Sequence, residues 1–308
     1  MKLAFLFPGQ GSQKKGMLHR LPEHPAALEV LQQAREVIGE NILDLDTAKA
    51  LKSTVSVQLS LLIASVAVSK AFKAEGVKPD FAAGHSAGAF GAAVMCGAMD
   101  FTDALEIVKL RGELMEHAFP SGYGMGVITG FDAITVKEIA AAISSVESPV
   151  YPSNINAADQ VTISGSIPAI KKVLDQAGQR GARTAELLNV SVPSHCPLLN
   201  SVGDSLYEKL ASVHIRAPFI PYAANRTARL LRDSEQIRED LAYNVSNPVR
   251  WYEISSLLCE HGTRLLIEMP PGNVLTTLNK RTLPGARSVS VDENGLDNCL
   301  FLAKRFCS

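Results

Sequence analysis

The sequence predicts an α/β protein with two parts, a core built on a parallel sheet and an inserted subdomain of βαββαβ order. Three observations support this prediction. A strand, a G-x-S-x-G motif and a helix follow one another at 79–96, apolar strands alternate with helices on either side, and the middle of the chain shows a different order of elements. The predicted core comprises residues 1–123 and 189–308, and the predicted subdomain comprises residues 124–188.

Composition and charge narrow the class of protein. Hydrophobic residues make up 46% and charged residues 20% of the 308 positions, and the net charge is −1. The whole-molecule field therefore favours neither nucleic acid nor a membrane surface. The five cysteines are scattered without a C-x-x-C pair, so we expect no disulfide framework and no metal site. The N-terminal apolar run is too short for a signal peptide, and Val57–Val68 is too short to span a bilayer. We therefore expect a cytoplasmic protein, and we predict no cofactor.

The first predicted element is the strand Lys2–Phe7, which ends in a loop with one proline and two glycines, Pro8–Gln13. This loop lacks the third glycine of a dinucleotide-binding loop, because Lys14 stands there. We interpret it as a loop that carries backbone N–H groups toward a catalytic site. The segment Val55–Glu75 predicts a long, mostly buried helix, in which Gln58 either faces the site or lies on the surface.

A nucleophile elbow is predicted at Gly84-His85-Ser86-Ala87-Gly88. The strand Pro79–Ala83 precedes it and the helix Ala89–Cys96 follows, an order typical of an α/β-hydrolase-like core. The sharp turn of such an elbow lifts the serine hydroxyl above the sheet, so Ser86 is the candidate nucleophile. The N-terminus of the following helix offers backbone N–H groups to an oxyanion.

Arg111 lies among apolar residues in the next predicted helix, Ala104–Glu116. An arginine in that setting is usually a surface residue whose charge reaches water. A binding function requires an anionic partner for it.

The segment between Gly124 and Leu188 predicts a ferredoxin-like unit. Its strands and helices are expected, in βαββαβ order, at Met125–Thr129, Ile134–Val146, Val150–Ile155, Val161–Ser164, Ile167–Gln179 and Arg183–Leu188. A unit inserted in this way leaves a cleft between itself and the core.

The chain is then expected to return to the core. His195 stands in a loop between two prolines and is a candidate base, although a loop histidine is more often merely exposed. The remaining predicted elements are a helix over 198–210, the strand Phe219–Ala223, the helix Ser234–Tyr243 with Ser234 as its N-cap, the strand Leu265–Glu268, the helix Val274–Lys280, the strand Ser288–Val291 and the helix Leu296–Arg305.

Taken together, these segments resemble the malonyl-CoA:acyl-carrier-protein transacylase family. They come in the family's order and cover nearly the whole chain. The matching segments are 7–13 (Phe-Pro-Gly-Gln-Gly-Ser-Gln), 84–88 (Gly-His-Ser-Ala-Gly), 111–112 (Arg-Gly), 192–196 (Val-Pro-Ser-His-Cys), 247–251 (Asn-Pro-Val-Arg-Trp) and 271–275 (Pro-Gly-Asn-Val-Leu).

The resemblance implies that a malonyl group moves from malonyl-CoA, through a malonyl-serine intermediate, to the phosphopantetheine-type thiol of an acyl carrier protein. It assigns Ser86 as the nucleophile and His195 as its base. In this family a backbone carbonyl orients the base, and the matching position here is Asn244. The oxyanion would be bound by the N–H groups of Gln10 and Ala87.

The resemblance also gives Arg111 a partner, the free carboxylate of malonate, which a guanidinium binds through two parallel hydrogen bonds. An acetyl group would leave this arginine unpaired, which gives a physical reason for malonyl preference. By the same resemblance, Gln58 lines the pocket.

Two departures from the family pattern point to a subfamily. Ala87 and Ala89 stand where a bulky aliphatic residue and a glutamate are common, and Asn244 replaces the usual glutamine. Together with the segment at 21–25 (Leu-Pro-Glu-His-Pro), they resemble the transacylase (epsilon) subunit of malonate decarboxylase. That subfamily would add other decarboxylase subunits as partners.

Other functions remain open at this point. A serine esterase or thioesterase of α/β-hydrolase type would use Asp204 followed by His214 or His261, but leaves the inserted unit unexplained. A patatin-like acylhydrolase is weaker, since the chain contains no Asp-Gly dipeptide. A non-catalytic carrier-docking subunit would not need Ser86.

Carrier docking itself predicts a basic rim, because such carriers are usually acidic. The candidate residues are Lys171, Lys172, Arg180 and Arg183 on the inserted unit, and Lys280 and Arg281 near the C-terminus.

Overall fold

The computed structural model describes residues 1–39, 41–119, 121–190 and 192–307 and has a mixed α/β architecture with two separate sheets. The strands are β1 (Lys2–Phe7), β2 (Phe81–Gly84), β3 (Tyr123–Thr129), β4 (Val150–Ala157), β5 (Gln160–Ser166), β6 (Thr184–Leu187), β7 (Tyr222–Ala223), β8 (Leu230–Leu231), β9 (Thr263–Glu268) and β10 (Arg287–Ser290). The α-helices are α1 (Pro25–Ile38), α2 (Thr54–Ala74), α3 (Gly88–Met95), α4 (Phe101–Ala118), α5 (Ala133–Ile143), α6 (Ile167–Gln179), α7 (Asn200–Leu210), α8 (Ser234–Tyr243), α9 (Trp251–Glu260), α10 (Val274–Thr282), α11 (Val291–Asn294) and α12 (Leu296–Cys307).

The larger sheet has the order β10-β9-β1-β2-β7-β8, and all its pairs are parallel except β7 with β8. Strand β1 is buried from Leu3 to Phe7, as expected for a central parallel strand covered on both faces. Phe5 and Phe7 face the cluster that includes α2 and α3, whereas Leu6 faces Trp251 on α9. The pairing of Phe7 with Gly84 brings the loop after β1 beside the elbow after β2.

The smaller sheet is antiparallel, with the order β4-β5-β3-β6, and its elements follow the chain as β, α, β, β, α, β. Apolar residues of α5 and α6, such as Val136 and Ile170, pack on it to form a separate core cluster. The main chain of Val249 joins this sheet to the core. Its N–H donates to the Ser153 carbonyl at 2.9 Å, and its carbonyl accepts from the Ile155 N–H at 2.8 Å.

Helix α2 corrects the expectation from the apolar run in this region. It is 21 residues long, which by length and composition is enough to cross a membrane, but 83% of its most apolar stretch is buried inside the protein. The expectation that this apolar segment is too short to span a bilayer was therefore wrong. Burial on nearly every side explains the continuous apolar sequence, because this helix packs against α1, α3 and α4.

Several predicted boundaries also differ. Asp233, not Ser234, caps α8, and its side chain accepts from the Gln236 N–H at 2.9 Å. Helix α5 ends at Ile143, and Val146 beyond it is 93% exposed. The strand expected at Phe219–Ala223 is reduced to the two residues of β7, because Phe219 lies outside the sheet and is exposed.

Candidate active site

Ser86 lies at the sharp turn between β2 and α3, with a left-handed φ of 55°. The two glycines of the motif permit this turn because they have no side chain. A Cβ atom on Gly84 would lie 2.1 Å from the Gly88 carbonyl carbon, and one on Gly88 would lie 2.1 Å from the Phe7 oxygen. The elbow predicted from the sequence is thus present, held tightly against the end of β1.

His195 contacts the nucleophile directly. Its Nε2 lies 2.7 Å from Ser86 Oγ, and its Nδ1 lies 2.5 Å from the Asn244 carbonyl oxygen. A carbonyl only accepts, so the Nδ1–H donates to it and Nε2 is left to accept from the serine hydroxyl. The His195 N–H also donates to the Val245 carbonyl at 2.7 Å, which fixes the loop. The geometry is that of a serine with a base and an orienting carbonyl.

Burial and, second to it, the positive charge of Arg111 together lower the pKa of His195 from 6.5 to about 3. The imidazole is only 2% exposed. It is therefore neutral at physiological pH, the form that accepts a proton.

Arg111 is buried, not at the surface, with 1% exposure. One end of its guanidinium, Nη1, donates to Gln58 Oε1 at 2.7 Å. The other end, Nη2, lies 3.4 Å from both Ser86 Oγ and Asn244 Oδ1. Burial lowers its pKa to about 10, so it stays protonated at neutral pH. Its Nε–H has no partner among the described residues.

No carboxylate of the described residues lies within 4.0 Å of the Arg111 side chain. A buried charge without a counter-ion is costly, and structures compensate it with a bound partner of opposite sign. The neutral amides of Gln58 and Asn244 orient the guanidinium but leave its charge uncompensated. The arrangement therefore favours an anionic group next to Ser86.

Two backbone N–H groups beside Ser86 make no hydrogen bond to a described residue, those of Gln10 and Ala87. Their neighbours at the elbow are already used: Ser86 N–H donates to the Asn225 side chain and Gly88 N–H to the His85 carbonyl. The loop after β1 packs closely on the elbow, since a Cβ on Gly9 would lie 2.4 Å from the His85 oxygen. Free N–H groups in this position can bind an oxyanion.

A cavity of about 360 Å³ opens onto Ser86 and His195 from between the two sheets. The loop after β1 and α10 form one wall, and residues of β4 and β5 form another. Polar groups on the second wall, which sequence reasoning did not single out, are Asn154, Asn156 and Gln160. Arg111, Gln58 and Asn244 lie behind the nucleophile and do not line this cavity.

A larger cavity, about 660 Å³, lies elsewhere, between Lys14, Arg20 and Asp292, and none of the predicted site residues lines it. We assign the site to the smaller cavity because the nucleophile, the base and the free N–H groups meet there.

Sequence reasoning also missed Asn225, whose side chain contacts the elbow at two points. It belongs to no motif and to no periodic pattern, and only the pairing of β2 with β7 brings it to Ser86. The sequence carried no signal for it.

The residues of the predicted basic rim differ in whether they form ion pairs. Arg183 and Arg281 both pair with Asp159, so their charges are partly compensated. The exposed residues of the set that make no ion pair with a described residue are Lys171, Lys172, Arg180 and Lys280.

Comparison with known proteins places this geometry in a family. The family described as "Acyl transferase domain" matches residues 4–294. The malonyl CoA-acyl carrier protein transacylases of Bacillus subtilis and Escherichia coli K12 are each 35% identical to the chain. The alignments cover 95% of the chain and 94% and 96% of those proteins.

Solved structures agree in fold. The malonyl CoA-acyl carrier protein transacylase of Coxiella burnetii has a TM-score of 0.94 at 34% identity, covering 99% of this chain and 98% of that one. A chain from a complex of a type II PKS acyl-carrier protein with its malonyl-transacylase has a TM-score of 0.93 at 35% identity, covering 99% and 100%.

Proposed function

The chain belongs to the acyl transferase domain family, and from that premise we propose that it transfers a malonyl group from malonyl-CoA to the thiol of an acyl carrier protein. The observation that carries the proposal is the position of Arg111, a buried cation that no carboxylate of the described residues compensates. It lies 3.4 Å from the hydroxyl of a serine that is paired with a neutral histidine. The names of the relatives support the same reaction.

Acylation begins when Ser86 Oγ attacks the thioester carbonyl carbon of malonyl-CoA and His195 Nε2 takes the hydroxyl proton. The carbonyl oxygen becomes an oxyanion, which accepts hydrogen bonds from the N–H groups of Gln10 and Ala87. When the tetrahedral intermediate collapses, the C–S bond breaks and the coenzyme A thiolate leaves with the proton from His195. The malonyl group then remains as an ester on Ser86.

The second half repeats these steps in reverse. The carrier thiol gives its proton to His195 and its sulfur attacks the malonyl ester. The Ser86 oxygen leaves and recovers the proton. The carbonyl of Asn244 holds the Nδ1–H of the base through both halves, so the ring keeps one tautomer and one orientation.

Selection of malonyl over acetyl is assigned to Arg111. A malonyl carboxylate would compensate the charge that no described residue compensates, whereas an acetyl group would leave it buried and alone. Gln58 accepts a hydrogen bond from one end of the guanidinium, which orients the group without neutralising its charge.

We also propose a narrower structural classification, which the order of elements supports. Residues 1–123 and 189–308 form an α/β-hydrolase-like catalytic core, and residues 124–188 form a ferredoxin-like subdomain with the carrier and coenzyme A entering between them. We propose a cytoplasmic location, since the proposed substrates are cytoplasmic metabolites and carriers.

A still narrower proposal places the enzyme in a malonate decarboxylase system with other subunits of that system as partners. It rests on Ala87, Ala89 and Asn244, where the chain departs from the common family pattern. Transfer of malonyl to the carrier protein of such a system, and not to a fatty-acid carrier, would support it.

One assay separates the proposed function from the esterase alternative. Purified protein is incubated with malonyl-CoA with and without a carrier protein that bears its phosphopantetheine-type thiol, and separately with a simple nitrophenyl ester. A transferase forms malonyl-carrier and releases little free malonate. Rapid hydrolysis of the ester or of malonyl-CoA, with no product on the carrier, would instead establish a hydrolase.

A further inference from the structure

We propose that Asn225 is a positioning residue that holds the nucleophile elbow and so determines which backbone N–H remains for the oxyanion. Asn225 lies two residues after the end of β7 and is fully buried. Strand β7 pairs with β2, and β2 leads into the elbow. The side chain therefore reaches the turn from the neighbouring strand.

The Asn225 amide contacts the turn at two points. Its Oδ1 accepts from the Ser86 N–H at 2.9 Å, and its Nδ2 donates to the Gly84 carbonyl at 2.8 Å. A buried backbone group left without a partner is destabilising, because it has lost its hydrogen bond to water and gained none in return. The left-handed conformation of Ser86 carries a cost of its own and persists only where its surroundings hold it. The two-point contact supplies that support.

The same contact affects which N–H groups of the elbow are available to a ligand. Ser86 N–H is taken by Asn225, and Gly88 N–H is taken by the His85 carbonyl at 2.9 Å. Among Ser86, Ala87 and Gly88, only Ala87 has an N–H without a hydrogen-bond partner in the described part of the chain, and this N–H is the one proposed to bind the oxyanion. Without Asn225, the Ser86 N–H would need another acceptor and the turn would be free to rotate away from the oxyanion position.

Asn225 is itself immobilised. Its N–H donates to Asp240 Oδ2 at 3.0 Å, and its carbonyl accepts from the Arg250 N–H at 3.1 Å. The Asp240 carboxylate is fixed in turn by the Tyr222 hydroxyl at 2.7 Å and the Arg226 N–H at 3.0 Å. Every polar group of Asn225 thus has a partner, which makes its side chain a rigid support for the turn.

The first test compares Asn225→Ala with Asn279→Ala. Asn279 is a buried asparagine whose Oδ1 accepts from Ser255 Oγ at 3.0 Å, away from the elbow. We expect kcat for malonyl transfer to fall about 100-fold in Asn225→Ala, the cost of a reacting group misplaced by about 1 Å. KM for malonyl-CoA should change little, and Asn279→Ala should keep the wild-type kcat. A wild-type kcat in Asn225→Ala, or an equal loss in Asn279→Ala, would overturn the proposal.

A second variant keeps the test decisive if Asn225→Ala does not fold. In Asn225→Asp, an ionised carboxylate accepts from Ser86 N–H but cannot donate to the Gly84 carbonyl, whereas the protonated acid does both. The titratable groups around this position include Tyr222, Asp240 and Arg226 on its own side, and His195 and Arg111 across Ser86. Burial beside Asp240 favours the protonated form. Activity relative to wild type should therefore rise as pH is lowered from about 8 to about 6. A ratio independent of pH would contradict the proposed contact.

This inference rests on the proposed function only through Ser86 as the nucleophile. The rate at which a fluorophosphonate labels Ser86 measures the elbow without any acyl substrate. Slower labelling in Asn225→Ala than in wild type supports the positioning role even if malonyl-CoA is not the substrate. Equal labelling rates in the two proteins would overturn the positioning role even if malonyl transfer is confirmed.

Discussion

The guanidinium of Arg111 lies 3.4 Å from the hydroxyl of Ser86, and it is buried without a compensating carboxylate among the described residues. The proposed nucleophile and the proposed anion-binding group therefore occupy one site. This proximity links the chemistry of acyl transfer to the choice of acyl group.

Replacing Arg111 should change specificity more than catalysis. In Arg111→Ala, a malonyl carboxylate is buried without its partner, a cost of about 3–5 kcal/mol, so malonyl transfer should fall at least about 100-fold. Acetyl transfer should change little, because acetyl never used the charge. The measurement is the ratio of malonyl to acetyl kcat/KM. Arg111→Lys keeps the charge but loses the two parallel hydrogen bonds, so this ratio should be only partly recovered in that variant.

The matched control for this comparison is Arg216→Ala, which removes a surface arginine paired with Asp100. It should leave the specificity ratio unchanged. Equal losses of malonyl and acetyl transfer in Arg111→Ala would make Arg111 a structural residue and remove the basis for malonyl preference.

Acyl transfer should resist acid better than an ordinary histidine base would allow. The pKa of His195 is lowered from 6.5 to about 3, so the ring stays neutral, and able to accept a proton, as pH falls through 6.5. The acid limb of kcat/KM should therefore lie well below pH 6.5. Removing the charge in Arg111→Ala removes one cause of the lowered pKa, so the acid limb for acetyl transfer should move to higher pH.

Circular dichroism at each pH separates this effect from acid unfolding. An acid limb centred near pH 6.5 in a folded wild-type protein would contradict the buried, neutral base.

Mutation should separate the role of the Asn244 side chain from the role of its main-chain carbonyl. Asn244→Ala keeps the carbonyl that orients His195 but removes Oδ1, which accepts from Arg111. Acetyl transfer should be nearly unchanged. Malonyl transfer should fall by roughly tenfold, the value of about one hydrogen bond to a charged group. An equal and large fall for both substrates would mean that the side chain supports the base and not the arginine.

Part of this account was accessible from the sequence. The elbow at Ser86 could be predicted because its glycines are required by local geometry, and the order of strands and helices follows from short apolar runs between turn residues. The sequence of the elbow does not determine which residues contact Ser86. His195, Arg111 and Gln58 come from distant segments, and their meeting depends on strand order and on the packing of α2 against α4. The residues alone marked His195 as a candidate base and left Gln58 and Arg111 undecided, and the resemblance to a family supplied the roles of all three.

Other features had no local signal. Asn225 reaches Ser86 across a two-residue strand, too short for any periodic pattern. The burial of Arg111 contradicts the usual behaviour of arginine in a helix, since burial depends on what covers the helix and not on the helix itself. The pairing of Arg183 and Arg281 with a single carboxylate, Asp159, likewise joins segments far apart in the chain.

Carrier docking should depend on Lys171 and Lys172 of the inserted unit, which form no ion pair with a described residue. Reversing both Lys171 and Lys172 to glutamate should raise KM for an acidic carrier, and the effect should shrink at high salt. Formation of the malonyl-enzyme from malonyl-CoA should be unaffected, because the change lies outside the catalytic site. Lys209→Glu on α7 serves as the control for a charge reversal elsewhere on the surface, compared with Lys171→Glu alone so that both change the net charge by −2. Carrier kinetics identical in the wild type and all these variants would exclude this surface.

The central claim is that Ser86 carries the malonyl group, and intact-protein mass spectrometry tests it most directly. Wild-type protein and Ser86→Ala are mixed separately with malonyl-CoA, acetyl-CoA and methylmalonyl-CoA, and His195→Ala is followed over time. We expect one malonyl group on the wild-type protein, none on Ser86→Ala and much slower labelling of a folded His195→Ala. A malonyl adduct on Ser86→Ala, or an unlabelled wild-type protein, would contradict the account.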